Sequence, residues 1–125
     1  MGAHAEGSAS KAEGIASHAE GWKTEAKATY SHAEGQETIV YPDGVGGHAE
    51  GNSTKVYGQW AHAEGSGTTA RGDYSHAEGA NSETKAGANY SHAEGNTTII
   101  EGSATYAHTE GLFTYIEQYG IGSHA

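Results

Sequence analysis

Small and polar side chains alternate with a period of two through most of the 125 residues, and the alternation restarts at every His-Ala-Glu-Gly box. The histidines stand at positions 4, 18, 32, 48, 62, 76, 92, 108 and 124, at intervals of 14, 14, 16, 14, 14, 16, 16 and 16. Self-similarity at a fixed period is the mark of a solenoid. Every interval is even, so each two-residue insertion leaves every side chain on the face it already occupied. Six residues after each histidine comes Ser or Thr, as at Thr24, Thr38 and Thr68. Two further on comes a small or β-branched residue, as at Ala26, Val40 and Ile100. Period-two alternation predicts strands.

Each turn is expected to carry two strands of about five residues, one written Tyr-Ser-His-Ala-Glu and the other Thr-x-Ala-x-Gly. Glycines such as Gly35 and Gly65 are expected to follow the first strand, and Gly14, Gly58 and Gly72 to close the second. The 16-residue repeats are expected to lengthen the second turn, where Pro42-Asp43-Gly44 and Gly87-Ala88-Asn89 lie. Within Ser31-His32-Ala33-Glu34-Gly35, alternation puts Ser31, Ala33 and Gly35 on one face and His32 and Glu34 on the other. So narrow a roll holds Ala, Ser, Thr and Val but not imidazole or carboxylate. The small residues are therefore expected inside and the His/Glu face outside. The fold class is all-β, a parallel β-roll or solenoid with 14- or 16-residue turns. One repetitive domain spans 1–125, with about eight turns at roughly 4.8 Å each, and reads as an excerpt of a longer array.

Composition changes the picture by exclusion. Only 34% of residues are hydrophobic, with one Phe, one Met and 20 glycines, which taken alone suggests disorder rather than a packed core. The regular spacing overturns that reading. There is no cysteine, hence no disulfide framework and no thiolate metal site. A net charge of −10, with six scattered cations, argues against nucleic acid. No apolar run is long enough for direct membrane insertion.

Ala70-Arg71-Gly72-Asp73-Tyr74-Ser75-His76-Ala77-Glu78-Gly79 resembles the YadA-like head repeat of trimeric autotransporter adhesins, and the resemblance covers essentially the whole chain. It implies a left-handed parallel β-roll assembled as a homotrimer with the box strands innermost. The boxes depart from that family in carrying His and Glu where it has apolar residues. His-rich boxes of this kind are also similar to repeats of phage or Gram-positive surface fibres.

If the trimer carries over, His4, Glu6, His18, Glu20, His32, Glu34, His48, Glu50, His62, Glu64, His76, Glu78, His92, Glu94, His108 and Glu110 form an inter-subunit ladder. Tyr30, Trp60, Tyr74, Tyr90 and Tyr106, two residues before a histidine, are then interface aromatics that seal each layer. Each buried carboxylate would need a partner, and a His–Glu hydrogen bond supplies one. Acid is expected to weaken the ladder by protonating Glu.

The expected function is a non-catalytic head segment of a surface adhesin, extracellular or on a virion, binding itself and a host surface protein or glycan. A structural segment of a phage tail fibre or spike is the alternative, and a metal-binding trimeric rod a third. A catalytic His–Glu pair is disfavoured because the pair recurs at every turn with no nucleophile of its own. No cofactor is expected and no metal is assigned.

Overall fold

The computed structural model describes residues 2–125. Sixteen strands run in two parallel sheets, and no helix occurs among the described residues. The box strands are β1 (His4–Ser8), β3 (His18–Trp22), β5 (His32–Gln36), β7 (His48–Asn52), β9 (His62–Ser66), β11 (His76–Ala80), β13 (His92–Asn96) and β15 (His108–Leu112). Opposite them lie two-residue strands: β2 (Lys11–Ala12), β4 (Glu25–Ala26), β6 (Ile39–Val40), β8 (Lys55–Val56), β10 (Thr69–Ala70), β12 (Glu83–Thr84), β14 (Ile99–Ile100) and β16 (Tyr115–Ile116). Odd strands pair only with odd and even only with even, in sequence order, which is a parallel β-solenoid of about eight turns. Register is in phase, so His18 pairs with His32, Ala19 with Ala33 and Glu20 with Glu34.

The interior is a stack of small side chains, as the alternation predicts. Ala33, Ala49, Ala63 and Ala77 are fully buried, as are Thr24, Thr38, Thr54 and Thr68. Ser31 and Ser75 are buried too, and their hydroxyls donate to the carbonyls of Ala28 and Gly72 at 2.6 Å. Ile100, Val40 and Val56 are the largest fully buried side chains. Both core isoleucines, Ile100 and Ile116, lie in 16-residue repeats, whose wider cross-section has room for them. The extra residues do enter the second turn: five residues separate β4 from β5, and seven separate β6 from β7.

The corners differ from the expectation. Every residue two before a histidine, from Gly2 to Gly122, has a left-handed backbone with φ between 52° and 69°. The other corner repeats this five residues after each histidine, with φ between 55° and 70° from Ala9 to Phe113. A left-handed residue cannot continue a strand. The first strand therefore starts at His rather than at Tyr, and the second shrinks to two residues.

The box glycine lies inside the first strand, not after it, and Gly35 is exposed rather than inward-facing. Its φ of 105° turns the chain away from the interior. A Cβ on Gly35 would collide with the carbonyl oxygen of Gly51 in the next turn, so no other residue fits.

Candidate functional site

In-phase parallel pairing places each chemical group directly over its copy, about one strand spacing away. The imidazoles from His18 to His124 stack face to face, with ring centroids 4.7–4.9 Å apart and planes within 5°. His4 breaks the file, meeting His18 edge-on at 66°. The carboxylates form a second file beside the first.

The two files interlock. The Nε2 of His48 lies 3.1 Å from Oε1 of Glu34, one turn back. The same step gives 3.2 Å for His62 and Glu50, 3.4 Å for His76 and Glu64, 3.0 Å for His92 and Glu78, and 3.3 Å for His108 and Glu94. It lengthens to 3.9 Å for His18 with Glu6 and for His32 with Glu20, and to 3.7 Å for His124 with Glu110. The sixteen ladder residues are thus brought together within one chain: from His18 onward each His faces the Glu of the preceding turn, and His4 lies 3.5 Å from its own Glu6. The Nε2 atoms of His18, His32 and His76 are shielded from water yet have no hydrogen-bond partner.

Like charges stacked in file cannot all ionise. Hydrogen bonding to Glu64, then burial, pushes Glu50 up to about 7. Glu64 and then Glu94 push Glu78 up to about 7. Between them Glu64, held by Glu78 and then Glu50, is lowered to about 2. Glu20 is raised by its bonds to Glu6 and Glu34, and Glu94 is lowered by those to Glu78 and Glu110. Raised and lowered carboxyls therefore alternate along the file. Burial, then the neighbouring charges of His48 and His76, lowers His62 to about 4.

The five aromatics sit at the corner beside this ladder, outside the strands. They are half exposed or more, from 51% at Tyr74 to 65% at Tyr106. Tyr74, Tyr90 and Tyr106 stack at 5.0 and 5.1 Å. A non-glycine residue held in the left-handed region costs on the order of 1–3 kcal/mol. Both corners impose the same backbone, but five of nine residues at the ladder corner are aromatic, against one of eight (Phe113) at the other. The backbone alone does not select these rings.

Opposite the ladder, the outer sheet carries a second file. Tyr41 and Tyr57 stack at 4.1 Å, and the Arg71 guanidinium lies 4.3 Å over the Tyr57 ring. Arg71 and Lys85 each reach Glu83 at 2.8 Å, and Lys27 reaches Glu25 at 2.6 Å. Lys27 and Lys85 pair with the glutamate two residues earlier in their own turn, whereas Arg71 reaches across to the next turn. No family model, curated protein or solved structure matches the chain.

Proposed function

We propose that the chain is a rigid, non-catalytic segment of a homotrimeric surface fibre or adhesin head, coiled left-handed, with the His-Ala-Glu-Gly sheets of three copies facing one another. The observation that carries this reading is the row Tyr30, Trp60, Tyr74, Tyr90 and Tyr106: strained, exposed rings gathered at the corner on the histidine side of the ladder. Rings held at a conformational cost in water are favoured if a neighbouring copy buries them. The repetition of the site supports a structural role over catalysis, since no turn of the ladder has chemistry of its own. The segment then belongs outside the cell or on a virion, holding a binding surface for a host protein or glycan at a distance. The same geometry serves a phage fibre, where the ligand is a bacterial wall glycan.

The chain has no cysteine, so placement of a single thiol tests the arrangement cleanly. Glu64→Cys, in the ladder, should form an inter-chain disulfide on mild oxidation. Lys55→Cys, on the opposite sheet, should not. Crosslinking of Lys55→Cys alone would contradict the reading.

A further inference from the structure

We infer that the histidine–glutamate column is a binding site for divalent transition-metal ions, each ion taking one imidazole Nε2 and carboxylate oxygens from its own turn and the turn before. The inference rests on one chain's ladder and holds whether or not three copies associate.

At five places among the described residues, from His4, Glu6 and His18 to His76, Glu78 and His92, two histidines and a glutamate bring ligand atoms within 4.8 Å of one another. Two stacked imidazoles do not share an ion, however. The planes of His62 and His76 are 1° apart with centroids separated by 4.8 Å, so their in-plane lone pairs run parallel and never converge. A set of one imidazole and two carboxylates escapes this restriction.

Three histidines have such a set. Nε2 of His18 is 3.9 Å from Glu6 and 3.9 Å from Glu20. That of His62 is 3.2 Å from Glu50 and 4.0 Å from Glu64. That of His92 is 3.0 Å from Glu78 and 3.8 Å from Glu94. Bonds of about 2.0–2.1 Å around a tetrahedral ion put ligand atoms about 3.3 Å apart, so small side-chain rotations close each set and leave one position for water. The partnerless Nε2 of His18 is a donor atom aimed at two carboxylates that it does not reach. An ion between them would satisfy all three. Nitrogen with carboxylate oxygen favours Zn²⁺, Co²⁺ or Ni²⁺ over Ca²⁺ and Mg²⁺, which take oxygen alone.

The test is calorimetric titration of the chelator-treated full chain with Zn²⁺ at neutral pH, repeated with Co²⁺ while its visible absorption is followed. The expected result is uptake of up to three ions per chain, undisturbed by excess Ca²⁺, with a nitrogen-ligated Co²⁺ spectrum. His62→Asn should weaken its own set by about ten-fold or more. His62→Gln, whose circular dichroism reports whether the fold survives, should do the same. Absence of Zn²⁺ uptake at about 100 µM would overturn the inference. Displacement by Ca²⁺, or unchanged binding in folded His62→Asn, would overturn it equally.

Discussion

The indole of Trp60 occupies the space that a Cβ on Gly46, one turn back in the same corner file, would need. Gly46 adopts the left-handed backbone freely at φ 69°, while Trp60 adopts it at 52° against its preference. The pair is a miniature of the corner, with strain accepted where a ring is wanted and glycine placed where the ring must lie. Gly46→Ala should displace the indole and cost about 1–2 kcal/mol. Urea denaturation reads the cost. Emission from Trp60, in a Trp22→Phe background, reads the displacement.

The box glycines are less forgiving. A Cβ on Gly65 meets the backbone oxygen of Gly79, and its φ of 103° is closed to L-residues. Backbone cannot swing aside as an indole can. Gly65→Ala should therefore destabilise by more than about 3 kcal/mol, exceeding Gly46→Ala. Equal midpoint shifts for the two variants would show that the turns separate easily.

Tyr30 offers a signed test of burial. Its ring is exposed in the single chain at a left-handed φ of 59°. In an isolated solenoid Tyr30→Gly would relieve strain and raise stability by roughly 1 kcal/mol. In the proposed trimer the same change should lower it, because a buried ring is lost. Thermal melting decides the sign.

The proton pattern sets two opposing pH limbs. His62 at about 4 lies below its ordinary 6.5, so the unfolded chain takes up that proton first, and stability is lost as pH falls from 6.5 to 4. Glu50 and Glu78, at about 7, lie above the ordinary 4.5. Their contribution is full below 4.5 and is lost as pH rises through 7. Glu64, at about 2, contributes above 4.5 and fails only in strong acid. Between pH 4.5 and 6.5 the two glutamates outweigh the one histidine, so in the presence of chelator the melting temperature should fall as pH rises from about 4.5 to 7. Glu50→Gln with Glu78→Gln should flatten the alkaline limb. A melting temperature still climbing at pH 8 would contradict the shared protons.

Much of this was legible from spacing. Even intervals kept Ser31 and Ala33 inside and His32 and Glu34 outside, and the insertion fell beside Pro42 as expected. Alternation presumes an extended backbone, which is why it misplaced Tyr30 in the strand and Gly35 on the inner face. Nothing in a tyrosine announces a left-handed corner. The intrachain step from His48 to Glu34 follows from parallel register, but it became visible only once the histidines were seen in file. The stack of Tyr41 on Tyr57 was hidden for the same reason, since 16 residues of sequence separate one turn from the next.

The most direct measurement is molar mass in solution by light scattering, on the chelator-treated chain at neutral pH. One copy weighs 12.9 kDa, and three copies make 38.7 kDa. A mass of 38.7 kDa is the predicted result. A mass of 12.9 kDa across the accessible concentration range would contradict the assembly and leave the His–Glu ladder and its aromatic corner on an open surface.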